Sequence, residues 1–290
     1  QGPEGRRILI RVLALALALT VAGCSSQAAD RVAQSPSREA SALPRVVSIN
    51  PCVDAVLLQI ADPKQIAAIS HYSHDERASS IPLDQARRFA ATSGTAEEVV
   101  ALAPDLVLSG AHVAPSTIAA LQRMNIPLVQ ISVPESIAES AAQVRTIAAA
   151  VGQTARGEAL VARIDDAVQA AEAKGGTRPG ALIWQGGGLV PGDGTLASEL
   201  LRVTGFRNMS ADYGLKRWDV LPLEHLVARP PRVLLSVGAQ DHSDRMLSHP
   251  VLNGLTQQIT VHRYPERLLH CGGPTIIDAV RHLASIRRSL

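Results

Sequence analysis

Four histidines, His71, His74, His112 and His270, stand near the ends of segments that read as β-strands. Imidazole is the commonest metal ligand, so a bare zinc or manganese site is one chemistry these residues offer. Their spacing matches no compact metal motif, and no metal site is expected. Ser48, Asp54 and His71 have the residue types of a hydrolytic triad, but no G-x-S-x-G elbow frames a nucleophile. Gly186-Gly187-Gly188 lacks the lysine and the spacing of a phosphate loop. An α/β enzyme acting in a cleft would need a nucleophile with a base in reach, and the chain offers no such pair. Neither catalysis nor a cofactor is expected. Cys52 and Cys271 each follow a predicted strand and open a predicted helix. In an oxidising compartment they could form a disulfide; otherwise they are small apolar residues.

These residues must be positioned by elements, and one phrase organises them. Glu97 to Ser109 reads EEVVALAPDLVLS, and Glu224 to Ser236 reads EHLVARPPRVLLS. In each copy an acid suits the positive end of a short helix, a proline stops it, and an apolar run forms a buried strand. A helix–Pro–strand unit used twice predicts two α/β lobes, each with its own sheet. Strands are expected at Arg45–Asn50, Gln65–Ser70, Leu106–Ser109, Ile126–Ser132, Ala181–Gln185 and Val261–His270. Helices between them imply mainly parallel sheets. Arg207 to Val220 reads as a polar loop. Lobes are expected at 44–152 and 177–290, with a connecting helix at 153–176. A helical connector is stiff, where a Gly- or Pro-rich hinge would permit wide closure.

At 290 residues the chain can bury a large core, and its net charge of +2 points to no nucleic acid. Arg6, Arg7 and Arg11 precede an apolar run, Val12 to Val21, too short for a comfortable membrane span. Val21-Ala22-Gly23-Cys24 follows and looks like the lipobox of a bacterial lipoprotein signal. Residues 1–23 would then be a signal peptide, with lipid on Cys24. Residues 24–43, rich in Ser, Ala and Gln, would be a flexible tether.

The RVVSIN-PCVDAVL opening, the repeated EEVVALAPDLVLS phrase and the GDGTLASELLRVTGFRN segment resemble one family. It is the class III periplasmic binding proteins of cobalamin, ferric-siderophore and haem ABC importers. The resemblance runs from about Arg45 to the C-terminus. It implies two lobes with mainly parallel sheets, joined by a long rigid helix, and a shallow cleft that binds cargo without altering it. It implies a monomer, lipid-anchored in the periplasm, whose partners are the permease and ATPase subunits. It also implies one docking acid per lobe, here Glu97 and Glu224, facing permease arginines; charges on one face would steer docking. A sensory or adhesive lipoprotein of the same fold is the non-transport alternative.

A wide chelate needs flat apolar surfaces and a few polar anchors. Aromatics make up only 2% of the chain, so Tyr72, Trp184, Tyr213 and Trp218 stand out at or beyond strand ends. Asn50, Pro51 and Cys52, at a strand-to-helix junction, join them as expected cargo contacts. His74 and His270 complete the set, and either could be axial to cobalt or haem iron.

Overall fold

The computed structural model describes residues 43–237 and 258–290. The expected signal peptide, Cys24 and all of the tether except Leu43 lie outside the described residues. The first lobe holds β1 (Val46–Ser48), β2 (Ile66–Ser70), β3 (Ala91–Thr92), β4 (Leu106–Gly110) and β5 (Leu128–Ile131). They form one parallel sheet in the order β3-β2-β1-β4-β5, with Val47 opposite Val107. β1 is buried at every residue and β4 at all but its last, as a sheet covered on both faces requires.

Helices α1 (Pro51–Ile60), α2 (Leu83–Ala86), α3 (Ala96–Ala101), α4 (Pro115–Arg123) and α5 (Ile137–Ala150) flank it. The start of α1 is set locally. Asn50 Oδ1 accepts the N–H groups of Cys52 at 2.9 Å and Val53 at 3.1 Å. Pro51 takes the first position, where its missing N–H is not needed. Val53, Val56, Leu57 and Ile60 are buried along the helix.

Helix α6 (Thr154–Ala171) connects the lobes. It buries Gly157, Leu160, Val161, Ile164 and Ala167, a stripe at three- and four-residue spacing. At Gly157 a Cβ would lie 2.3 Å from Ala148 Cβ, so glycine lets α5 and α6 approach closely.

The second lobe holds β6 (Gly180–Trp184), β7 (Leu189–Pro191), α7 (Leu196–Val203), β8 (Arg207–Asn208), β9 (Trp218–Val220), α8 (Leu223–Ala228), β10 (Val233–Val237), β11 (Thr260–Tyr264) and α9 (Thr275–Arg288). Its sheet is parallel, in the order β11-β10-β6-β8, and β7 pairs with β9 as a separate antiparallel ribbon. The two copies of the repeat are α3–Pro104–β4 and α8–Pro231–β10, and each strand lies inside its sheet.

Two expectations are corrected. Arg207–Val220 is not one loop: it contains β8, a turn at Ser210–Tyr213 and β9. The last strand stops at Tyr264 rather than His270, because Pro265 cannot donate to a ladder and a turn at Glu266–Leu268 follows.

One apolar core runs through both lobes, from Val46 and Leu108 through Leu160 and Ile164 of α6 to Leu235 and Ile277. Smaller clusters hold the residues that point the other way from the sheets, Val47 and Val107 in one lobe and Leu182 and Leu234 in the other. Helix α6 packs on α1 and α5 on one side and α9 on the other. A connector buried this way resists bending, because a hinge there would expose core.

Candidate functional site

The carboxyl ends of β1, β4 and β5 open toward the second lobe, the edge where parallel α/β sheets receive ligands. Asn50, Gly110, His112 and Ser132 line a recess of about 120 Å³ there, closed by Gln143 of α5 and by His270 and Gly272. Val133 and Pro134 separate it from a second recess of about 90 Å³. That one is lined by Thr195 at the start of α7, by Arg217 and Trp218, and by Leu269–Gly272.

The chain between β11 and α9 acts as a strap across the lobes. Cys52 and Cys271 are joined by a disulfide, their Cα atoms 5.1 Å apart. Ser80 Oγ donates to the Arg267 carbonyl at 2.9 Å, and His270 Nε2 meets the Arg77 carbonyl at 2.9 Å. Gly273 N–H donates to Ser140 Oγ at 2.7 Å. Gly272 is held so closely that a Cβ would lie 2.6 Å from Ser140 Oγ and 2.9 Å from Pro134 Cγ. An exposed ion pair, Arg217 with Glu135, adds a further bridge, worth about 0–1 kcal/mol at the surface.

The expected cargo residues divide. Asn50 and Cys52 line the first recess, Trp218 the second, and His270 both. Asn50 Oδ1 is committed to capping α1, so it shapes the recess while holding the helix. Pro51 lies half-buried beside it. Tyr72 lies outside both recesses, 52% exposed, its ring centroid 4.1 Å from that of His71. His74 is half-buried, with Nε2 3.1 Å from the Ala86 carbonyl.

Trp184 requires correction, and Tyr213 lines neither recess. Trp184 is 0% exposed, packed with Leu182, Val190 and Leu226. It ends a strand covered on both faces, so a ligand in the cleft does not reach it. The Tyr213 hydroxyl donates to the Arg229 carbonyl at 2.6 Å, bracing its turn against the end of α8. Burial, with Asp212 nearby, pushes that phenol up to about 12.

The competing chemistries find little support in the geometry. Ser48 Oγ lies 3.3 Å from the Asn50 carbonyl, and His71 Nδ1 lies 3.2 Å from the Thr92 carbonyl. Asp54 is fully buried and accepts from Ser70 N–H at 2.9 Å and Ser73 Oγ at 2.6 Å. His71 is thus engaged with the Thr92 carbonyl rather than with Ser48 or Asp54, so no base faces the serine. Among the described residues no three His, Cys, Asp or Glu side chains group as a metal site. A larger groove, about 450 Å³, lies between α6 and α9 under Arg163, Arg281 and Arg288, away from the strand ends.

Glu97 and Glu224 occupy the same place in the two repeat copies, the exposed first turns of α3 and α8. The adjacent Glu98 is engaged, accepting from Thr92 Oγ1 at 2.9 Å and Ser93 N–H at 2.7 Å. Several contributors had no clear sequence signal: Ser80, Ser140, Val133 and Glu135. Asp54, placed in the first turn of α1, was legible.

A family model described as "Periplasmic binding protein" matches residues 46–261. Two cobalamin-binding proteins of Halobacterium salinarum are 26% identical over 213 residues, 70% of this chain. The chain spans 56% of the length of those relatives. The periplasmic heme-binding protein RhuT of Roseiflexus sp. RS-1 superposes with a TM-score of 0.68 at 22% identity, covering 84% of this chain and 99% of that one. The heme-binding HutB of Vibrio cholerae gives 0.69 at 16% identity, covering 84% and 98%. The vitamin B12-binding BtuF of Vibrio cholerae gives 0.66 at 15%, covering 85% and 97%. At these identities the three structures establish the fold.

Proposed function

Because the chain belongs to the periplasmic binding protein family, we propose that it takes up a metal chelate between its lobes and delivers it to an ABC importer. Its two lobes, each with a mainly parallel sheet, joined by α6, are the class III arrangement of that family. The cargo is cobalamin, haem or a ferric siderophore; the partners are the permease and its ATPase. The protein works in the periplasm as a monomer, anchored by lipid on Cys24 after loss of residues 1–23.

One observation carries the choice of a flat, bulky cargo. Three large apolar side chains stand exposed at and beside the second recess: Val133 at 70%, Trp218 at 45% and Val220. Trp218 and Val220 are two residues apart on β9 and so share one face of the ribbon. Ligand pockets that enclose a drug-sized molecule run to about 300–1,000 Å³, far above the recesses of about 120 and 90 Å³. A corrin or porphyrin therefore lies on the open apolar rim, with its polar edge toward the recesses and their His270, Asn50 and Arg217. Tyr72, exposed on the first lobe, offers a second aromatic surface.

The chain has two tryptophans, and only Trp218 is exposed. Titration with haemin, cyanocobalamin and a ferric siderophore should quench Trp218 emission while the core Trp184 persists. Trp218→Ala should weaken the bound cargo by about tenfold, the loss of one well-placed aromatic contact. If none of the three ligands changes the emission, the reading fails.

Docking rests on Glu97 and Glu224. Replacing both with Lys should leave cargo affinity unchanged, since neither lines a recess. Uptake into cells should fall to background, because repulsion replaces attraction at both contacts. Uptake at the original rate would remove these acids from the docking surface.

A further inference from the structure

We propose that Asp54, buried under the first lobe's rim, is a positioning residue that fixes the turn His71–His74 so that Tyr72 faces the cargo. The proposal rests on the cleft-binding reading above for the cargo, but not for the turn itself. Asp54 is 0% exposed in the first turn of α1. Its Oδ2 holds two points of the neighbouring element. It accepts Ser70 N–H at 2.9 Å, where β2 ends, and Ser73 Oγ–H at 2.6 Å, inside the turn. Ser70 Oγ in turn accepts Tyr72 N–H at 3.3 Å. The flanking histidines are tied to the same lobe, His71 Nδ1 to the Thr92 carbonyl at 3.2 Å and His74 Nε2 to the Ala86 carbonyl at 3.1 Å.

Three of the four side chains in the turn are thus bonded to the scaffold, and the fourth, Tyr72, is 52% exposed. A buried carboxylate is costly to keep, and apolar packing would stabilise α1 at less expense. What the carboxylate adds is one rigid acceptor for both a backbone N–H and a hydroxyl of the turn. Asp54 is itself immobile, because α1 is capped by Asn50 and bridged through Cys52 to the strap of the other lobe. The aromatic surface on the first lobe is therefore registered to the second lobe through one continuous set of bonds.

The test compares Asp54→Ala, Asp54→Asn, Ser73→Ala and Tyr72→Ala. In the cargo-free protein, hydrogen exchange of the amides from Ser70 to Asp75 should speed up about tenfold in Asp54→Ala, with β4 and β10 unchanged. Haemin and cyanocobalamin titrations should show about tenfold weaker binding for Asp54→Ala, and Asp54→Ala/Tyr72→Ala should bind no worse than Tyr72→Ala alone. Asp54→Asn, which keeps an acceptor for Ser70 N–H, should restore binding to within about threefold. Should Asp54→Ala fail to fold, Ser73→Ala removes one of the two bonds without disturbing the core, and should accelerate exchange in the turn alone.

Unchanged exchange in both Asp54→Ala and Ser73→Ala would overturn the proposal. So would losses that multiply in the double variant, since Asp54 would then act independently of Tyr72. If Tyr72→Ala binds every probe as tightly as the parent protein, the cargo role of Tyr72, and with it the proposal, is wrong. Failure of the parent protein to bind any probe sinks the cleft-binding reading instead, and the exchange comparison still decides whether Asp54 fixes the turn.

Discussion

Removing the Cys52–Cys271 bridge should destabilise the protein by roughly 5 kcal/mol, the chain-entropy figure for so long a loop. The cysteines are 219 residues apart, so the bond closes nearly the whole folded chain. In the unfolded state it forbids the most extended conformations; in the native state it joins α1 to the strap before α9. The comparison is urea unfolding of the oxidised protein against Cys52→Ser/Cys271→Ser, which leaves no lone thiol at the site. The midpoint should drop, and the slope should rise because the unbridged denatured chain exposes more surface. The variant should still fold, because one apolar core runs through both lobes without help from the bond. Coincident unfolding curves would show that the bridge contributes nothing to stability.

Raising the pH from about 4 to 8 should cost on the order of 4 kcal/mol through Asp54, at 1.36 kcal/mol per pH unit of separation between folded and unfolded titration. Burial pushes this carboxyl from its ordinary 3.8 up to about 7, against hydrogen bonds from Ser48, Ser73 and Ser70 that pull it down. None of those partners is a cation. Between the two values the folded protein holds a proton that the unfolded chain has lost. Stability is therefore fully present below 3.8, falls as pH rises, and levels off above about 7. Glu98 works in the opposite sense, its carboxylate held below its ordinary value by bonds from Ser93 and Thr92. It is exposed, so its contribution is small. Chemical denaturation at several pH values, with Asp54→Asn as the control, isolates the effect. The decline should vanish in the variant, which should also be the more stable protein at pH 8. An equal decline in both proteins would assign it elsewhere.

Much of the architecture is written in local patterns. The helix–Pro–strand phrase at Glu97 and its copy at Glu224 each encode an element order that neighbouring residues dictate: acid at a helix start, proline at its stop, apolar run in a covered strand. Both copies therefore appear as read, at interior positions of separate sheets. The cap at Asn50 and Pro51 is of the same kind, because its partners lie within three residues. Alternating strands and helices were sufficient to specify parallel sheets, and with them the edge at which a ligand is received.

What the chain order left open involves partners far apart in sequence. Whether Cys52 could reach Cys271 depended on where two lobes place their Cα atoms, and 5.1 Å is a property of the packed strap rather than of either cysteine. Trp184 and Trp218 both stand at strand ends, yet one is sealed in a core and the other is exposed. The difference is that β6 is covered on both faces while β9 belongs to a two-stranded ribbon at the surface. Tyr213 lines neither recess, and the Arg229 carbonyl, at the end of α8, takes its hydroxyl. Short-range chemistry along the chain thus determined which elements form and in what order. Burial and long-range pairing, which exist only once those elements pack, decided which side chains are left to meet a ligand.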